Sequence, residues 1–132
     1  MKTQNAELIL FSVELSTNNR LDNQINTDQV INWLTLNNVP FQRVNGVYKG
    51  TSEVSFIVPM RYKRQIEAIA RDYNQESILL RHHDLSCELQ YLKTGQLEQI
   101  GQWTEIKYHE KHQYDGYTEE IETNRFFTVK GA

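Results

Sequence analysis

From Asn45 to Phe56 the chain reads Asn-Gly-Val-Tyr-Lys-Gly-Thr-Ser-Glu-Val-Ser-Phe, which brings a phenol, Tyr48, and a carboxylate, Glu53, into one hairpin. With Lys49-Gly50-Thr51-Ser52 as a four-residue connection, Tyr48 and Glu53 oppose each other across two strands, with Cβ atoms about 5 Å apart. A carboxylate attracts a cation by charge and an aromatic ring attracts it through its negative face, so the pair can grip a cationic ligand. An exposed Tyr–Glu pair with no ligand has the same pattern, and spacing alone leaves both readings open.

Other chemistries lack their residues. Gly46 to Ser52 does not follow the GxxxxGK[ST] order of a triphosphate cradle. His109 and His112 are one residue too close for HExxH, and the adjacent His82 and His83 fall on opposite faces of a strand, so no metal is expected. The lone cysteine, Cys87, excludes an intrachain disulfide and reads as a packed thiol beside Leu85 and Leu89. No Gly-x-Ser-x-Gly elbow is present.

The elements that must position these residues follow from periodicity. Leu8 to Leu15 alternates, with Ile9, Phe11, Val13 and Leu15 on one face and Ser12 and Glu14 on the other. After the polar loop Ser16-Thr17-Asn18-Asn19-Arg20, Asn26 or Thr27 is expected to cap a helix with the stripe Val30, Ile31, Trp33, Leu34 and Leu36. Strands are expected over 41–48 and 53–58, the second with Val54, Phe56 and Val58 opposite Glu53, Ser55 and Ile57. Tyr62, Ile66, Ile69 and Tyr73 recur at helical spacing, and strands over 77–82, 85–92 and 97–106 follow. The order β-α-β-β-α-β plus a hairpin predicts an α+β, ferredoxin-like antiparallel sheet with two helices on one face. Its second face mixes polar and apolar residues, which predicts a cavity or an interface with another copy there.

The 132 residues, 39% hydrophobic and 23% charged, with a formal net charge of −3, suit one compact domain. Slight acidity, with Arg61-Tyr62-Lys63-Arg64 as the one basic cluster, argues against a nucleic-acid partner. No apolar run is long enough for a bilayer, and Met1 to Glu7 lacks a cationic-then-apolar leader, so a cytoplasmic protein with no membrane partner is expected. The expected division is one α+β domain over 1–107 and a polar extension over 108–132. Within the extension, Tyr108 to Glu122 reads as a loop or peripheral appendage, and Arg125-Phe126-Phe127-Thr128-Val129 as an edge strand or intersubunit contact.

Taken together, the loop Ser16 to Asn19, Gly46-Val47-Tyr48, Glu53-x-Ser-Phe-x-Val and Asn74-Gln75-Glu76-Ser77-Ile78-Leu79 resemble the small phage-encoded S-adenosylmethionine (SAM) lyases, formerly called SAM hydrolases, over about residues 7–106. The resemblance implies a PII-like trimer with active sites between subunits and no cofactor. It also implies a reaction in which the substrate's own carboxylate attacks Cγ, closing homoserine lactone and expelling 5′-methylthioadenosine, so as to counteract host restriction–modification. Glu53 then matches the family's acidic residue and holds the substrate ammonium, and Tyr48 matches its tyrosine beside the sulfonium. Ser16, Thr17 and Asn18 are expected to bind the substrate's polar ends and Gln75 to support them by hydrogen bonding. Either Trp33 or Trp103 has the ring to stack on adenine, and neither is assigned. The alternatives are a lyase of a SAM-AMP conjugate in CRISPR signalling and a non-enzymatic PII-like sensor or anti-restriction binding protein.

Overall fold

A computed structural model describes residues 5–131. Its strands are β1 (Leu8–Ser12), β2 (Gln42–Tyr48), β3 (Thr51–Pro59), β4 (Ser77–Arg81), β5 (Ser86–Tyr91), β6 (Leu97–Ile106), β7 (Gly116–Glu120) and β8 (Arg125–Lys130). Helix α1 (Arg20–Leu36) follows β1, and α2 (Lys63–Asp72) lies between β3 and β4. The strands hydrogen-bond in the order β1-β3-β2-β7-β8-β6-β5-β4 and close into an antiparallel barrel among the described residues. None of the described helices is long and apolar enough to cross a membrane.

The ferredoxin-like, PII-like expectation is therefore wrong. An open sheet with helices on one face stops at β4; here β5 and β6 extend it from β4, and β7 and β8 bridge β6 to β2. The expected edge strand, Arg125–Lys130, pairs with β6 on one side and β7 on the other. Closure is the physical alternative to an exposed or shared face, because it leaves no edge and turns the second face inward.

The alternation in β1 and β3 sets the two layers. Ile9, Phe11, Val13, Phe56 and Val58 point outward and pack with Val30 and Leu34 of α1 and Ile66 and Ala70 of α2. Leu8 and Ile57 point inward and meet Val44 of β2 and Leu10 on the barrel floor. Across from them Trp103 and Phe127 stack with ring centroids 5.3 Å apart, beside the buried Cys87. Burial pushes the Cys87 thiol up to about 11, so it is an inert packed group.

Helix α1 begins seven residues before the expected cap: the Asn19 side chain accepts the Asp22 N–H at 2.8 Å, and Thr27 is buried within the helix. The apolar residues of its first two turns, Leu21 and Ile25, are exposed among polar neighbours, so the buried apolar stripe that signals a helix starts only at Val30. Asn23 holds the preceding loop, accepting from Leu15 N and donating to Leu15 O, both at 2.9 Å.

Outside the barrel, His82 is clasped by two carboxylates, Glu88 at Nε2 (2.5 Å) and Glu7 at Nδ1 (3.4 Å). The Glu88 hydrogen bond leads in raising the His82 pKa, against partial burial, with Glu7 adding to it. A raised folded-state pKa contributes stability that is complete below the unfolded value of about 6.5 and is lost as pH rises through the folded value. Thermal stability is therefore expected to decline from about pH 6.5 upward, and Glu88→Gln to flatten that slope; parallel melting curves would contradict it.

Candidate active site

The β2–β3 connection has two residues, with Lys49 at φ 49° and Gly50 at φ 82°. Positive φ at both central positions is the type I′ pattern, whose twist suits a tight hairpin. It sets a register different from the expected one: Tyr48 opposes Thr51, and Glu53 opposes Gly46. Tyr48 and Glu53 remain on the same inward face but lie diagonally, about 7–8 Å apart on the backbone scale of such pairs. The glycine opposite Glu53 leaves space above its carboxylate, and a Cβ on Gly46 would lie 3.3 Å from Ser55 Oγ. Gly116 has the same role beside Tyr48, whose ring a Cβ there would approach to 3.2 Å.

These residues surround a cavity of about 740 Å³ at one end of the barrel. Glu53, Ser55 and Thr51 form one wall; Leu10 and Leu79 lie toward the floor, Trp103, Phe127 and Val129 line the far side, and Tyr48, Tyr114 and Asp115 are among the residues nearer the mouth. A second, polar cleft of about 620 Å³ lies between β3 and the first turns of α1 and shares Ser16, Thr51 and Glu53 with the cavity. Glu53 thus borders both spaces. Its pKa is raised, chiefly by burial and further by the charge of Glu14, while the Ser12 hydroxyl draws it down.

Of the expected site residues, Tyr48, Glu53 and Ser16 line the barrel cavity. Asn18 lines the second cleft, where its amide donates to Asn23 Oδ1 at 3.2 Å. Thr17 is exposed on the loop and lines neither space. Gln75 lies outside both, donating through Nε2 to the Glu14 carbonyl at 2.8 Å.

The wall from Tyr114 to Thr118 was unanticipated, because its residues fall in the stretch read as a loop or appendage, and Phe127 to Val129 were expected at an edge strand or intersubunit contact, not in a cavity wall. The available signal was the alternation of Gly116, Thr118 and Glu120 facing inward against Tyr117 and Glu119 facing outward. Trp103 lines the cavity, whereas Trp33 packs against the outer, helix-covered core.

Lys49 is the one cationic side chain lining this cavity among the described residues, and it sits on the exposed turn. A partly buried carboxylate among aromatic rings favours a bound organic cation over an anion. No curated protein matches the chain. The model of the S-Adenosylmethionine lyase family matches residues 9–130, a span that begins in β1 and ends with β8 and so takes in the whole barrel. A substrate that carries a sulfonium and an ammonium suits this cavity, and the chain belongs to the S-adenosylmethionine lyase family and is an S-adenosylmethionine lyase.

Proposed function

We propose that the chain cleaves SAM into 5′-methylthioadenosine and L-homoserine lactone inside its own barrel. The observation that carries this reading is Glu53, a partly buried carboxylate bordering an aromatic cavity whose single lining cation among the described residues lies on the exposed turn. The substrate's carboxylate oxygen forms a bond to its own Cγ while the Cγ–S bond breaks and its electron pair neutralises the sulfonium as methylthioadenosine departs. The lactone leaves with its ammonium intact.

Nothing in this step requires a proton to be removed from the nucleophile. The protein's part is to fold the methionine arm so that carboxylate and Cγ–S bond align, which is worth up to about 7–11 kcal/mol in well-oriented intramolecular reactions. Glu53 binds the ammonium and leaves the substrate carboxylate free to turn toward Cγ. Tyr48 flanks the arm and sulfonium with its ring, and the aromatic far wall takes the adenosyl group and keeps water away from the reacting carbon. Ser16 borders both spaces and binds the polar end. Removing SAM also removes the methyl donor of restriction–modification enzymes, which is the biological use we infer.

The test is the methyl ester of SAM, whose carboxylate is blocked. Turnover of SAM with none of the ester is expected; release of methylthioadenosine from both at similar rates would show that water, not the substrate carboxylate, attacks.

A further inference from the structure

Strand β1 stops short of the site. Its last pair with β3 is Ser12 with Ser55, yet β3 continues through Val54 and Glu53 to Thr51. Beyond that pair the chain peels away from β3 into the loop that borders the polar cleft. Side chains supply the missing ladder: Ser12 Oγ donates to Val54 O at 2.8 Å, and Val54 N donates to Glu14 Oε1 at 2.8 Å.

The peptide that joins Glu53 to Val54 is thus held by the Glu14 carboxylate in place of a strand. Glu14 is itself fixed on three sides. Thr27 Oγ1, buried on α1, donates to its Oε2 at 3.2 Å; Gln75 Nε2 donates to its backbone carbonyl; and Glu14 N donates to Ser12 Oγ at 3.0 Å. Without this clamp the Val54 N–H faces the opening with no partner, and the strand carrying Glu53 loses its hold on that side.

We propose that Glu14 is a positioning residue of the lyase: it replaces the absent end of β1, fixes the peptide that carries Glu53, and sets the charge environment of that carboxylate. The inference rests on the assignment of Glu53 as the ammonium-binding group. Charged groups around Glu53 are Lys49 and Asp115 on the cavity side, and Arg20, Asp28, Arg43 and Glu14 on the cleft side. Of these, Glu14 is the one whose charge pushes the Glu53 pKa up, adding to burial.

The test separates clamp from charge. In Glu14→Gln an amide oxygen still accepts the Val54 N–H but the negative charge is gone, so kcat/KM stays near native at neutral pH and its acid limb moves to lower pH. Glu14→Ala removes the clamp as well, and kcat/KM falls roughly tenfold or more, the size of one lost charged hydrogen bond. An acid limb that superimposes on the native one in Glu14→Gln overturns the proposal, and so does native kcat/KM in Glu14→Ala. Should Glu14→Ala not fold, the Glu14→Gln profile decides. A Glu53→Gln control distinguishes the two layers of the argument: if it leaves kcat/KM unchanged, the role of Glu53 fails; if it impairs turnover while Glu14→Gln leaves the acid limb in place, only the role of Glu14 fails.

Discussion

Glu53→Gln is expected to lower kcat/KM for SAM by roughly ten- to hundredfold, the equivalent of about 1.5–3 kcal/mol for a hydrogen bond to a charged group. Gln keeps the size and one acceptor oxygen, so the loss measures the charge. The same variant is not expected to melt earlier. Because burial raises the Glu53 pKa, the folded protein binds a proton there more tightly than the unfolded chain, and stability falls as pH climbs from the ordinary glutamate value through the raised one. A neutral amide removes that cost, so the melting temperature at neutral pH should be equal or higher while turnover drops. Loss of activity accompanied by loss of fold would mean Glu53 is structural. The native acid limb of kcat/KM is expected above the ordinary glutamate range, since protonation of Glu53 abolishes the attraction for the ammonium.

The largest effect on stability is expected at Gly101. It sits at φ +132°, where β6 and β5 slip register between Cys87 and Glu88, and a Cβ there would lie 1.9 Å from the Lys130 carbonyl oxygen. The obstacle is β8 backbone, which cannot rotate away, so Gly101→Ala must part β6 from the end of β8. We expect a loss of about 3 kcal/mol or more, above the usual range for strain alone, and a fall in melting temperature of about 10 °C or more. Gly95→Ala is the control: its φ is +75° but nothing lies within 4 Å of the added Cβ, so only the left-handed backbone cost of about 1–2 kcal/mol remains. Equal melting temperatures for the two variants would show that the β6–β8 contact is not tight.

The first half of the barrel was readable because its alternation separates two chemically different faces. Val54, Phe56 and Val58 against Glu53, Ser55 and Ile57 told which side meets the helices, and the mixed opposite face pointed to a cavity or an interface. What covers that face was not readable. Residues 116–120 put glycine, threonine and glutamate on the inner side, where a dry core would need aliphatic residues, so the hydrophobic alternation that signals a strand is weak; residues 125–129 read as a strand, but as an edge and not as the one that closes the barrel.

Tyr48 and Glu53, singled out by residue type, both line the cavity, but their register was misread. Lys49-Gly50 is an unusual type I′ pair, since Lys rarely takes positive φ, and the longer four-residue connection was the natural reading. The two-residue turn moves Glu53 opposite Gly46 and leaves Tyr48 at the rim. Gln75, expected to support the substrate-binding residues by hydrogen bonding, donates instead to the Glu14 backbone carbonyl. Glu14 itself was read only as a polar residue on the face of the first strand opposite Ile9, Phe11, Val13 and Leu15. Its role depends on where β1 ends, which no local pattern encodes.

The central claim is that SAM is opened by its own carboxylate in this cavity, and product analysis in ¹⁸O-water tests it most directly. Incubation of the purified chain with SAM should yield methylthioadenosine and homoserine lactone in equal amounts, with no solvent oxygen in freshly formed lactone. Homoserine labelled at its hydroxyl from the earliest time points, with no preceding lactone, would contradict it.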